Sequence, residues 1–178
     1  MKYLVFILSV LVSLRSYAST CPSVEVCFVP GENCTQEIVS MLDKAEKSIL
    51  LQAYEFTSKP IVNGVIAAKK RGIDVQVILD KNQVKHKYSI PVVKELLSNE
   101  ISVWIDNKPA IAHNKVMVID NHKVITGSFN FTAAAQDRNA ENLLTIDDEE
   151  VVKKYTENWY KRKEQSKPAS IDVKVLWR

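Results

Sequence analysis

The chain holds only three histidines and three cysteines, and no two of its cysteines form a C-x-x-C pair. That scarcity argues against a metal site, because the cysteines lack the usual ligand spacing and only His86, His113 and His122 remain. No second apolar segment of spanning length follows the first one, so no stable membrane span is expected once that segment is removed. No amphipathic or aromatic-rich membrane-surface stretch stands out either. Internal repeats, low-complexity segments and linkers able to split the chain are all lacking. Finally, no charge of one sign dominates. The formal net charge is +3, and removing residues 1–18 takes away Lys2 and Arg15 and no acid, leaving +1. A near-neutral domain does not point to a polyanion partner through bulk charge, so a nucleic-acid footprint would have to be a local patch.

What is present starts with an apolar leader. Lys2 gives a positive start, residues 3–14 are apolar, and Ser16 and Ala18 place small residues at the −3 and −1 positions of a cleavage site. The expectation is a signal peptide over 1–18 and a single catalytic domain over 19–178, exported to the periplasm or the medium. Arg15, between the run and the cleavage site, leaves an uncleaved anchor as an alternative. Cys21 hints at a lipoprotein, but Thr20 and Ala18 are poor lipobox residues. Export permits disulfides. Cys27 and Cys34 flank Pro30-Gly31, a turn between a strand and a helix, so their side chains could meet. Their pairing is expected, with Cys21 left over.

Hydrophobic periodicity then sets the elements. Strands are expected over 24–29, 48–54, 73–79 and 101–105, a hairpin over 115–119 and 123–125, and a further strand over 142–146. Helices are expected over 35–46, from Ser58 to Arg71 with Gly72 stopping it, from Ser89 to about 98, and from about 147 to 164. A short helical turn fits 131–136, and residues 171–176 alternate like a strand. Strand–helix–strand–helix–strand at the start implies right-handed parallel crossovers, and the hairpin makes the sheet mixed. The fold class expected is α/β: a mixed, mostly parallel sheet with helices on both faces.

Residues 113–130, HNKVMVIDNHKVITGSFN, carry the chemistry. His113 and Lys115 are two apart on a strand and share a face, because strand side chains alternate. An imidazole and an ammonium thus emerge side by side from an apolar strand. Gly127, Ser128 and Asn130 bring small groups back to the same end. An imidazole can attack phosphorus or move a proton, a lysine can hold phosphate charge, and Ser or Asn can hydrogen-bond phosphoryl oxygens. A lone His-x-Lys would be read as a strand-edge histidine beside a solvated lysine. Six fixed positions across eighteen residues argue otherwise.

The pattern His113-x-Lys115-x4-Asp120-x6-Gly127-Ser128-x-Asn130 resembles the HKD signature of the phospholipase D superfamily. The residues Gln52-Ala53-Tyr54-x-Phe56-Thr57 and Ala67 to Val75 look like that superfamily's small bacterial endonucleases with one motif. The resemblance implies a phospholipase D/nuclease-like fold and a metal-independent phosphodiesterase with no cofactor. It implies that His113 forms a covalent phosphohistidine and that Lys115 and Asn130 clamp the non-bridging oxygens. Neutral imidazole attacks well only if the leaving alkoxide is protonated, so two imidazoles in different states are required. With one motif copy, this predicts a homodimer with both His113 residues facing across its axis. Activity should then follow a bell-shaped pH profile near the ordinary imidazole pKa of about 6.5.

Asp120 is seven residues beyond His113, more than about 15 Å away at about 3.3 Å per residue, so it reads as a structural tie for the turn. Glu141 is the better orienter of the histidine ring, as the resemblance implies an acid there. Ser128 is assigned to phosphate binding and Gly127 to a close backbone approach. Lys81 and Lys85, in a loop after a parallel strand, are assigned to gripping phosphates. Lys69-Lys70-Arg71 and Asp147 to Glu150 read as helix-dipole partners, and the tryptophans as packing. The leading function is nonspecific cleavage of DNA or RNA. Hydrolysis of phospholipid headgroups is the alternative, because the motif reads only the phosphodiester. A non-catalytic binder has no need of the constellation.

Overall fold

The computed structural model describes residues 22–83 and 85–170. The leader over 1–18, Cys21, the strand expected over 171–176 and Trp177 lie outside the described residues. The elements in chain order are β1 (Ser23–Val29), α1 (Cys34–Asp43), β2 (Ser48–Ala53), α2 (Lys59–Lys70), β3 (Asp74–Asp80), α3 (Ile90–Ser98) and β4 (Ser102–Asp106). They continue with β5 (Lys115–Ile119), β6 (Lys123–Gly127), α4 (Ala133–Asp137), β7 (Glu141–Asp147), α5 (Glu149–Gln165) and β8 (Lys167–Pro168).

The strands form one mixed sheet in the order β1-β7-β6-β5-β2-β3-β4-β8. Sequence patterning explains the order. β2 reads SILLQA and is buried almost throughout, as a central strand covered on both faces must be. β1 buries only Cys27 and Val29 and sits at the edge. The α/β class with helices on both faces stands, but its expected mostly parallel pairing is corrected. Only β2–β3 and β3–β4 pair in parallel, whereas the other five pairings are antiparallel. The first strand–helix–strand unit does not place β1 beside β2. β1 crosses to the far edge and pairs antiparallel with β7, from Ser23↔Asp147 to Val29↔Glu141.

One face of the sheet packs against α1, α2 and α3 through Ile38, Leu42, Ile61, Val65, Val93 and Leu96, over Leu51, Val77 and Met117. The other face carries Leu50, Ile78, Val116 and Val118 beneath α5, whose Val152 and Trp159 fill the second layer. Trp159 is fully buried and its Nε1 donates to the Leu51 carbonyl at 3.0 Å. Arg162 of α5 forks onto the fully buried Asp106 at the end of β4, with Nε donating to Oδ2 at 2.7 Å. Trp104 lies under the Lys163 ammonium, 4.2 Å from its centroid.

Local signals close the elements. Asn33, Thr132 and Asp148 cap α1, α4 and α5 by accepting backbone amides. Ser58 and Ser89 occupy N-cap positions without using their side chains, and Pro60 and Pro91 stand in the first turns. Gly72 ends α2 at φ +90°. Arg71 donates to the Leu42 carbonyl at 2.7 Å, so the basic end of α2 also closes the end of α1. Cys27 and Cys34 form a disulfide across the β1–α1 turn.

Candidate active site

β1, β2, β3, β4 and β6 run one way, while β5 and β7 run the other. The C-terminal ends of β2, β3 and β6 therefore meet the start of β5 and of β7 at one edge. His113 enters there, just before β5. Three bonds fix its backbone. The Ala112 amide donates to Asp80 Oδ2 at 2.7 Å, the Tyr54 amide donates to the Asn114 carbonyl at 2.9 Å, and Lys115 Nζ donates to the His113 carbonyl at 2.8 Å. Asp80 is fully buried at the end of β3, and its other oxygen accepts the Asn82 amide at 2.8 Å.

The His113 side chain is exposed, and its ring lies against the Tyr54 ring with centroids 4.5 Å apart. Lys115 is buried, with Nζ 3.0 Å from His113 Nδ1 and 3.3 Å from Nε2. An ammonium can donate only to an unprotonated ring nitrogen, the form of imidazole that attacks phosphorus. The ammonium also sits 5.3 Å from the Tyr54 centroid. Burial pushes the Lys115 pKa below its ordinary 10.5, while the charges of Glu141 and Glu55 pull it back up.

The second wall comes from the β6–α4 segment. Gly127 has φ +142°, and a Cβ there would collide with the Asn142 carbonyl oxygen. Ser128 donates to Glu141 Oε2 at 2.5 Å and accepts the Asn142 amide at 3.1 Å. Asn130 is half-buried, and its Oδ1 has no hydrogen-bond partner among the described residues. The next residue is sewn to the chain after β2. The Phe131 carbonyl accepts Thr57 and Ser58 amides at 2.9 and 2.8 Å, and Phe131 bridges Phe56.

His113, Lys115, Ser128, Asn130 and Glu141 thus gather at one sheet edge. Glu141 stands otherwise than expected. Its Oε1 accepts from Asn139 at 2.8 Å and its Oε2 from Ser128, and it makes no hydrogen bond to His113. It acts on the site through Ser128 and through its charge on Lys115. Asp120 lies at the opposite end of β5. It accepts the Lys47 and Ser48 amides on Oδ1 at 2.7 and 2.9 Å, and the Glu46 amide on Oδ2 at 2.9 Å. Lys81 is engaged by the Pro109 carbonyl at 2.9 Å, and neither Lys81 nor Lys85 lines the cavity bounded by Tyr54.

Sequence reading passed over two groups. Asp80 carries no role in the sequence pattern, although an acid ending a buried parallel strand is a signal in itself. Tyr54 was noted as part of a resemblance, not as the partner of the histidine ring. His86 lies on a cavity that also meets Tyr54, whereas His122 is remote, 3.3 Å from Asp147 at the hairpin end. Among the described residues, no group of three or more His, Cys, Asp or Glu side chains is gathered as a metal ion would need.

An exposed imidazole, a buried ammonium and an amide at one end of a mixed α/β sheet are the groups that chemistry at phosphorus needs. Residues 38–162 match the family model described as cardiolipin synthase, PLD-like domain. The chain is 48% identical to a phospholipase D of Rickettsia typhi over 79% of its own length and 68% of the relative's. It is 49% identical to a phospholipase D of Rickettsia conorii, over 79% and 69%. Its fold matches the crystal structure of Nuc, a phospholipase D family member from Salmonella typhimurium, with TM-score 0.80 and 35% identity, covering 83% of this chain and 98% of Nuc. The chain belongs to the phospholipase D superfamily, and it is a phosphodiesterase of that superfamily.

Proposed function

We propose that the protein is an exported, metal-independent endonuclease that hydrolyses DNA or RNA at a site shared by two copies of the chain. The observation that carries this is the exposed imidazole of His113, held by backbone on both sides and met by the Lys115 ammonium. In the first step, His113 of one protomer forms a P–N bond as the P–O bond to the leaving alkoxide breaks. The partner's His113, protonated, gives that alkoxide its proton. In the second step the same imidazole, now neutral, takes a proton from water, whose oxygen displaces the phosphohistidine nitrogen. Lys115 and Asn130 stabilise the charge that grows on the non-bridging oxygens. Ser128 and Glu141 hold that wall in place.

Supporting the shared site, one chain supplies one such motif, and His122 lies at the far end of the sheet. The exposed Val24, Val26 and Phe28 on β1 give a second copy an apolar surface, and the β1 register brings that strand to Glu141. Supporting export, Cys27 and Cys34 are bonded, as an oxidising compartment allows. Among the described residues, no helix is long and apolar enough to cross a membrane.

Hydrolysis of phospholipid headgroups is the second reading, favoured by the similarity to the rickettsial phospholipases D. One experiment separates the two. The protein is given DNA, RNA and phosphatidylcholine vesicles in excess EDTA, beside His113→Ala. Nucleic acid cut by the wild type alone is the expected result. Choline release without strand cleavage would transfer the same chemistry to lipid. Activity lost in EDTA, or kept by the variant, would overturn the mechanism.

A further inference from the structure

A cavity of about 310 Å³ is lined in part by Tyr54, whose ring also lies against the His113 ring. That volume lies at the lower end of the range for small-ligand pockets. One wall is the β3–α3 loop, where Tyr88 stands 63% exposed and presents a large aromatic surface to solvent. The His86 ring tilts against it with centroids 5.5 Å apart, and the Lys87 ammonium sits 4.8 Å from its centroid. The facing wall is α4 and its end, where the exposed Arg138 guanidinium has no partner among the described residues. One acid, Glu55, also lies on the wall, and its charge acts on Lys115.

We propose that this cavity is a subsite for one unpaired nucleobase adjoining the phosphodiester attacked by His113, with Tyr88 as its stacking platform. This rests on the nuclease reading above. Three observations favour a base over a lipid headgroup. Tyr54 is shared by the cavity and the histidine ring, so an occupant of the cavity is one group away from the reacting phosphorus. Tyr88 offers its π-face, which stacks on any base and so suits a nuclease without sequence preference. His86, Lys87 and Arg138 place positive or protonatable groups at the rim, which attract a phosphate backbone and repel the quaternary ammonium of choline. A base inside a duplex cannot reach Tyr88 without unstacking. The subsite therefore selects single strands.

The test compares wild type, Tyr88→Ala and Tyr88→Phe on three substrates. These are a dinucleoside monophosphate and its two analogues, each lacking one base. Tyr88 touches neither His113 nor Lys115, so cleavage of the analogue that leaves the subsite empty should be equal in all three proteins. On the intact dinucleotide, Tyr88→Ala should lose about tenfold in kcat/KM, mostly through KM, and Tyr88→Phe should retain the wild-type value. Wild type should also prefer a single-stranded oligonucleotide to its duplex. Equal kcat/KM for wild type and Tyr88→Ala on the intact dinucleotide would overturn the subsite while leaving the nuclease reading intact. Failure of the wild type to cut any nucleotide substrate would overturn both.

Discussion

Lys115 shows how function and stability pull apart at a single residue. Its ammonium is buried beside His113, and burial lowers its pKa from 10.5. A lysine with a lowered folded pKa costs stability while it is charged, below that folded value. The cost fades as pH rises toward 10.5. Lys115→Met should therefore be at least as stable as wild type at pH 7, to within about 1 kcal/mol. Its kcat should fall about 100- to 1,000-fold, as for loss of one group that stabilises transition-state charge. Denaturant melts and steady-state kinetics on one preparation would show both, and a variant with full activity would remove Lys115 from the mechanism. Asp80 acts one step further back, through the Ala112 amide at 2.7 Å. Asp80→Ala leaves that buried amide unpaired and frees the segment that presents the imidazole, costing about 1–3 kcal/mol. Turnover should drop more than KM rises, because misplacing a nucleophile costs rate before it costs affinity.

The β5–β6 hairpin illustrates the element scale. Asp120 and Asn121 both have positive φ, 55° and 52°, and are the first two residues of its three-residue connection, which His122 completes. The Asp120 carboxylate then gathers three amides from the α1–β2 connection, joining the hairpin to the entry of the central strand. Burial alone would raise its pKa above 3.8. The amides of Ser48, Glu46 and Lys47, with the Lys47 charge, outweigh burial and hold it lower. The stabilisation is complete above 3.8 and is lost as pH falls through the depressed folded value. Asp120→Asn should cost about 1–2 kcal/mol at pH 7, less than for a dry site because the group is partly solvated. Its deficit should shrink in acid until the two melting curves meet. At neutral pH the folded variant should keep wild-type kcat, since Asp120 stands at the end of β5 opposite His113. A constant deficit from pH 7 to pH 2 would refute this account.

At the scale of the whole molecule, one consequence belongs to the proposed shared site. A protomer without its imidazole should inactivate the pair it joins, because the remaining His113 has no proton donor opposite. Mixing wild type with excess His113→Ala under subunit exchange should reduce activity toward the vanishing fraction of wild-type pairs. Activity that merely follows the wild-type concentration would mean that each chain works alone. The α5 face bears on the same question. Its Arg162–Asp106 fork and buried Trp159 cover the β2–β4 side of the sheet, but Val24, Val26 and Phe28 at the β1 edge stay exposed.

The 113–130 segment identified the chemistry because reactive side chains two apart on a strand share a face, a purely local rule. The helices, with Gly72 stopping α2, were legible for the same reason, as was the disulfide across a short turn. Tertiary structure decided what depends on distant partners. Strand neighbours are selected by which faces must be buried together, so β1 left its sequence neighbour for β7, and the pairing became largely antiparallel. Glu141 bonded to Ser128 and Asn139 rather than to the histidine ring, because their positions are set by the β6–β7 register. Asp80 reached Ala112 across 32 positions of chain, and no periodicity along a sequence can announce such a contact.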